Sequence, residues 1–355
     1  MKVSKIPGLG RFGIFIDDID LNNITDDEWM EIGKLHLESL VTIIRDTKID
    51  HATYYNLMMK WGDSRWNRPL QLYRKYGKTT KELFSKRLLD EDDRRDFFNY
   101  KRWVVDKKYP GMVRITPRKN SNGQSIGIFG DGELYWHSNE CADLAFTPGV
   151  SLMGVENMIG SSTGFCTTVD WYEKQSDSFK SELDEMVLVN NFRIKHKPYD
   201  DKNRLFLEKM MNYDETQRSY YHQNQCPTDN AEFPLVIKSP GGIKGLHYSV
   251  VSIDHIKGMS KPESDKLLTK ISSEIFTEEY IYEHKYQNDT DLLIFDNSIT
   301  LHNRSIEKGS APDRLGYRIQ FDYDKLLDEK YEPFYQEQFQ KQRDLDLEIL
   351  KYAMS

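Results

Sequence analysis

The sequence predicts a mainly β fold with flanking helices, an antiparallel barrel or jelly roll. Short apolar runs of strand length, bounded by Gly, Pro, Asn and Asp, recur along most of the chain. Two helical regions flank these runs instead of alternating with them, so the strand–helix–strand rhythm of a parallel sheet is missing. Aromatic content is high, with 21 Tyr and 17 Phe, enough to furnish a substantial core.

Gly8-Leu9-Gly10-Arg11-Phe12-Gly13 fits a G-x-G-x-x-G pattern. A dinucleotide fingerprint needs a strand before it and a helix after it. Here only Val3 and Ile6 precede it and the strand-like Ile14-Phe15-Ile16 follows, so it reads as a glycine-rich opening turn. Thr25-Asp26-Asp27-Glu28 is a capping box, and Trp29, Ile32, Leu35 and Leu40 give a helical stripe behind it. Val41-Thr42-Ile43-Ile44 reads as a strand. In a second helix Tyr54, Leu57, Met58 and Trp61 share one face, and Gly62 closes it.

Residues 63–110 are heavily charged and read as an inserted, solvated helical region. Val113-Arg114-Ile115-Thr116 is a strand, Lys119 to Gly123 a turn, and Ile126 to Phe129 leads on to the segment Tyr135 to Glu140. Pro148 to Val155 and Ser161 to Cys166 read as strands, and Asp170 to Val189 as one helix with Trp171, Phe179, Leu183 and Met186 on a face. The irregular polar stretch 197–233 suits a lid. Phe233 to Ile237 and Gly245 to Ser249 pair around Pro240-Gly241-Gly242, which makes His247 and Tyr248 candidates to line a pocket, Tyr248 on the substrate side. Leu268, Ile271 and Ile275 mark a helix, Tyr280 to Tyr286 an alternating strand, and Leu292 to Phe295 a buried one. The tail, about 325–355, is charged and helical, and the whole of 1–355 reads as a single domain.

Two distant segments carry the chemistry. In an extended Tyr135-Trp136-His137-Ser138-Asn139-Glu140, His137 and Asn139 share a face and Glu140 points the other way. His302 follows 165 residues later, behind Asp296-Asn297. In Arg314 to Tyr323, Leu315, Tyr317, Ile319 and Phe321 alternate with Arg314, Gly316, Arg318 and Gln320. Two inward arginines beside a histidine suggest a pocket for a dianion.

This set resembles the taurine dioxygenase-like family of Fe(II)/2-oxoglutarate oxygenases. The resemblance implies a double-stranded β-helix of the cupin-like kind, with metal ligands His137, the residue at 139, and His302. It also implies Arg314 and Thr163, 26 residues beyond His137, on the cosubstrate carboxylate, with Arg318 toward an acidic substrate. The implied cofactors are Fe(II) and 2-oxoglutarate, the implied partners a small molecule and molecular oxygen. A homo-oligomer is left open, with no interface legible. Two histidines and one carboxylate would leave three adjacent iron positions open, and Arg314 would grip a carboxylate in a bidentate pair that Lys could not copy.

One departure is central: the family's Asp is Asn139 here. Four readings stay open. Asn139 ligates through its amide oxygen; Glu140 supplies the carboxylate from a bulged strand; the third ligand is missing, as in related halogenases; or the chain is a non-catalytic relative.

Composition narrows the classes. A net charge of −8, from 49 basic and 57 acidic residues, argues against a nucleic-acid footprint. No apolar run approaches the roughly 20 residues a membrane span needs. Three cysteines (Cys141, Cys166, Cys226) at no metal-like spacing suit a reduced, cytoplasmic setting.

Overall fold

Strand alternation sets the layers. The computed structural model describes residues 1–64, 72, 76–90, 94, 98, 101–130, 134–139, 147–190, 231–250, 252–304 and 311–327. A seven-stranded sheet runs β1 (Lys2–Lys5), β2 (Ile14–Asp17), β3 (Val41–Ile44), β14 (Leu292–Asp296), β6 (Gly149–Glu156), β16 (Leu315–Phe321) and β4 (Val113–Ile115), with only the β2–β3 pair parallel. A four-stranded antiparallel sheet runs β13 (Ile281–Lys285), β7 (Ser162–Thr167), β15 (Thr300–Arg304) and β5 (Leu134–His137). A three-stranded sheet of β12 (Ile253–Ile256), β8 (Val187–Asn190) and β9 (Ala231–Pro234), and the hairpin β10 (Val236–Lys238) and β11 (Lys244–Leu246), complete the strands described.

Along β14, Leu292 and Ile294 face one way and Leu293 and Phe295 the other, the period of two that a sheet buried on both faces requires. The first face meets helices α1 (Asp26–Ser39) and α2 (His51–Trp61), through Trp29, Ile32 and Trp61. The second meets the four-stranded sheet, where the Phe295 ring lies 5.2 Å from Phe165 of β7. On its far side that sheet turns Trp136, Cys166 and Leu301 into a separate core with Leu268, Ile271 and Ile275 of helix α6 (Lys261–Ile275).

The capping box forms as expected: Thr25 accepts from the Glu28 amide, and the Glu28 carboxylate accepts from Thr25. Gly62 ends α2 for a different reason than a left-handed cap. Its backbone is extended, and a Cβ there would sit 1.5 Å from the Asp322 carbonyl oxygen, so close approach demands glycine. Gly8, Gly10 and Gly13 make the turn between β1 and β2 with positive φ.

The expected helix over 170–189 is divided. α4 (Val169–Glu173) stops, and the Ser176 hydroxyl accepts from the Phe179 amide to start α5 (Asp177–Glu185). Val187-Leu188-Val189 then pairs on both edges as β8, where β-branched residues pack well. Of the 63–110 stretch the structure describes a short helix, α3 (Thr80–Ser85), with Leu83 and Trp103 buried. Most of the expected lid, and the tail from 328 on, lie outside the described residues. Among the described residues, no helix is long and apolar enough to cross a membrane.

Candidate active site

The segment between β14 and β15 ties the two large sheets together and fixes the site's floor. Oδ1 of the buried Asp296 accepts from the Ser298 amide (2.9 Å), the Ser298 hydroxyl (2.6 Å) and the Ile299 amide (3.0 Å). Burial nevertheless pushes this carboxyl up to about 6. Asn297 is a clamp. Its Nδ2 donates to the Asn139 and Thr147 carbonyls (2.9 and 2.8 Å), its Oδ1 accepts from the Asn139 amide (2.8 Å), and its own carbonyl accepts from the Ser138 hydroxyl. The backbone at 138–139 is thereby held although β5 ends at His137.

His137 and His302 are direct cross-strand partners on β5 and β15, with ring centroids 4.1 Å apart. Trp136 and Leu301 take the outer face, so alternation sends both imidazoles inward. The His137 Nδ1–H donates to the Tyr135 carbonyl at 2.6 Å, which leaves Nε2 with its lone pair free of a proton. Burial lowers His137 to about 4, and burial together with the neighbouring His137 and Arg318 lowers His302 well below the ordinary range. Both rings are therefore neutral near pH 7 and able to ligate.

β16 brings the arginines. Arg314, immediately before that strand, is 2% exposed and donates to the carbonyls of Ala311 (3.2 Å), Phe129 (2.9 Å) and Gly130 (2.6 Å). Arg304 on β15 also donates to the Phe129 carbonyl, at 2.6 Å, and Phe129 holds a φ of 52° that a bulky residue rarely adopts. The Arg318 guanidinium lies 5.3 Å from the centre of the Phe129 ring.

These groups line one cleft between the two sheets. Among the residues lining it, five carry a buried polar atom without a partner: Asn139 Nδ2, Ser162 Oγ, His302 Nδ1, Asn303 Oδ1 and Arg318 Nε. An unmatched buried polar atom costs about 1–3 kcal/mol, so five around one cleft are what a site for a polar ligand or metal requires. The fit to a metal with an anionic ligand is good on this ground.

Of the residues singled out in the sequence, His137, Asn139, Thr163, His302, Arg314 and Arg318 are brought together. Tyr248 is not, which corrects the expectation for it. Its ring packs in the core around α6, and its hydroxyl bonds Ser272 Oγ (2.7 Å) and the Leu268 carbonyl (3.2 Å). His247 is likewise placed away, with Nδ1 donating to the Ser298 carbonyl at 2.9 Å. Glu140 lies outside the described residues. Among the described residues, no cluster of three His, Cys, Asp or Glu could hold a metal; Asn139 lines the cleft with the two imidazoles. Sequence reasoning missed Arg304, Phe129 and the Asn297 clamp. Only Arg304 carried a signal, standing two residues beyond His302 on the same strand face.

The family model described as taurine catabolism dioxygenase TauD, TfdA family matches residues 5–320. No curated protein matches the chain. Among solved structures, a Burkholderia xenovorans protein assigned as an alpha-ketoglutarate-dependent taurine dioxygenase is 18% identical with a TM-score of 0.60, over 90% of this chain and 88% of that one. A taurine dioxygenase from the same organism is 17% identical, at a TM-score of 0.59 and the same coverage. AAD-2, in complex with Mn(II) and N-oxalylglycine, is 16% identical with a TM-score of 0.58, over 90% of this chain and 96% of that one. At these identities the likeness is one of fold.

Proposed function

The chain belongs to the TauD/TfdA family of dioxygenases, and on that premise we propose that it is an Fe(II)/2-oxoglutarate-dependent oxygenase, hydroxylating a small anionic molecule. The observation that carries the reading is the inward His137–His302 pair in a cleft shared with Arg314 and Arg318. In this reading the two large sheets are the halves of a double-stranded β-helix. The whole chain is one domain, with the charged 63–110 stretch as an insertion.

His137 and His302 would hold iron, with the Asn139 amide beside them. Arg314 and Thr163 would take the far carboxylate of 2-oxoglutarate, and Arg318 an acidic group of the substrate. Iron with 2-oxoglutarate and oxygen would supply the oxidising power for an unactivated C–H bond, with succinate and carbon dioxide released. The protein's share is positioning. The Asn297 clamp fixes Asn139, the Tyr135 carbonyl sets the His137 tautomer, and the strands hold the guanidinium groups in a buried site where charge-assisted pairs are strong. A second reading, a non-catalytic or halogenase-like relative, is favoured by one observation, the neutral amide at 139.

Incubation with ferrous iron, 2-oxoglutarate and candidate anionic substrates should yield succinate. Retained 2-oxoglutarate binding without succinate for any substrate would favour the non-catalytic relative. Incorporation of chloride into product would favour the halogenase-like one.

A further inference from the structure

Three guanidinium groups meet at one residue, Phe129. Arg314 Nη2 donates to the Phe129 carbonyl (2.9 Å) and to the Gly130 carbonyl (2.6 Å), and its Nη1 donates to the Ala311 carbonyl (3.2 Å). Arg304 Nη1 donates to the same Phe129 carbonyl (2.6 Å), and the Arg318 guanidinium lies 5.3 Å from the Phe129 ring centre. A guanidinium grips a carboxylate in a two-pronged pair along one of two edges, Nε with Nη2 or Nη1 with Nη2. Both edges include Nη2, and that nitrogen carries only two hydrogens. In Arg314 both are spent on the carbonyls of residues 129 and 130. A two-pronged grip on a carboxylate by Arg314 therefore requires at least one of these carbonyls to let go.

The segment that engages Arg314 is itself strained. Phe129 holds a φ of 52°, a left-handed conformation that is costly for any residue with a Cβ and is kept only where the surroundings impose it. The chain is pinned just before this point, because the Ile128 amide donates to the Arg114 carbonyl (2.9 Å) and the Ile128 carbonyl accepts from the Thr116 amide (3.3 Å). It is pinned again at Leu134, which pairs with Arg304. A rearrangement can thus begin at Phe129 without disturbing either strand.

Resting on the oxygenase reading above, we propose that the Phe129–Gly130 backbone is a placeholder for a carboxylate on Arg314, expelled when the anion binds, with Phe129 passing from its left-handed conformation to negative φ. The strain at Phe129 then favours expulsion and so adds to the affinity for the anion.

The test separates this strain from the aromatic ring. Binding of N-oxalylglycine to the Mn(II)-loaded full chain is measured by isothermal titration calorimetry in the unaltered protein, Phe129→Ala, Phe129→Gly and Phe129→Asn. Alanine, glycine and asparagine all lack the ring, but glycine is at ease at positive φ and alanine is not. Phe129→Gly should bind about tenfold more weakly than Phe129→Ala, because relief of the strain stabilises the placeholder arrangement. Phe129→Asn, which tolerates the left-handed region better than alanine, should fall between them, and repeats the comparison without a glycine. Equal affinities across the three variants, or tighter binding by Phe129→Gly, would show that residue 129 keeps its conformation when the anion is bound. Either result overturns the placeholder and spares the oxygenase reading. Absence of N-oxalylglycine binding by the unaltered, Mn(II)-loaded chain removes the oxygenase reading, and the placeholder with it.

Discussion

Two buried histidines, His36 and His302, differ in how their nitrogens are used. His36 in α1 is 1% exposed, with its ring 5.5 Å from Trp61 and 5.7 Å from Tyr323. Both nitrogens are matched, Nδ1 with Thr42 Oγ1 at 3.1 Å and Nε2 with the Tyr323 hydroxyl at 2.8 Å. His302 is as aromatic in its surroundings, 4.1 Å from His137 and 4.7 Å from Phe295, yet its Nδ1 has no partner and it borders the cleft. Burial lowers the pKa of both, so a neutral, buried imidazole does not by itself mark a ligand. What sets His302 apart is an unmatched nitrogen on a residue that lines the cleft.

The sharpest way to break this comparison is to truncate each ring. His302→Ala should weaken Mn(II) binding at least 100-fold, since one of two imidazole donors is lost, with little change in the urea midpoint. His36→Ala should do the reverse. It leaves a cavity and strands the Thr42 and Tyr323 hydroxyls, a loss of about 2–4 kcal/mol in urea unfolding with Mn(II) affinity unchanged. Loss of metal binding in folded His36→Ala would erase the distinction.

Acid sharpens it next. His36 is lowered to about 3 and His247 to about 4 by burial, so between their folded values and the unfolded 6.5 the unfolded chain binds more protons. Stability from these two groups is whole above pH 6.5 and is lost as pH falls through 6.5 toward 4 and 3. Asp296, raised to about 6, acts oppositely: between 3.8 and 6 the folded chain holds the extra proton, so its contribution declines as pH rises. His137, lowered to about 4, and His302, lowered well below the ordinary range, act in the same direction as His36 and His247, so acidification from 6 to 4 brings a net loss of stability. His36→Gln should flatten that slope in urea titrations across the window. An unchanged slope would show that His36 does not titrate with folding.

Asn297 tests whether the cleft depends on support from outside it. Asn297→Ala removes three hydrogen bonds from the backbone at 139 and 147. The expected outcome is about a tenfold loss in Mn(II) affinity measured with N-oxalylglycine present, the size usual for groups that orient ligands without touching the metal. Undiminished affinity would mean that residue 139 needs no fixing.

Which features were legible follows from how local their causes are. The α1 capping box is complete within four residues, and the β16 alternation within eight, so Thr25, Glu28, Ile319 and Arg318 could be placed from sequence alone. The His137–His302 pairing spans 165 residues and was reached through resemblance, because no local pattern encodes register between distant strands. Asn297 was noticed, but its clamp depends on the neighbouring 138–139 and 147 backbone, which only the fold supplies. The break at Ser176 was missed because an apolar stripe continued across it, while the cap that restarts the helix is a single hydroxyl.

Tyr248 gives the smallest effect and the cleanest check on placement. Its neighbour in sequence, His247, sits beside the segment leading into β15, so an aromatic hydroxyl there looked available to a ligand. The structure turns it instead into the core around α6, where it joins Ser272 and the Leu268 carbonyl, and burial raises its pKa beyond any working range. Tyr248→Phe keeps the ring and its packing and removes only the hydroxyl. The cost should be about 1 kcal/mol in urea unfolding, the worth of a buried hydrogen bond with its partners partly re-matched. Mn(II) and N-oxalylglycine affinities should not move. A selective loss of either affinity, with stability unchanged, would put this hydroxyl back in the cleft and reverse the assignment of the two regions.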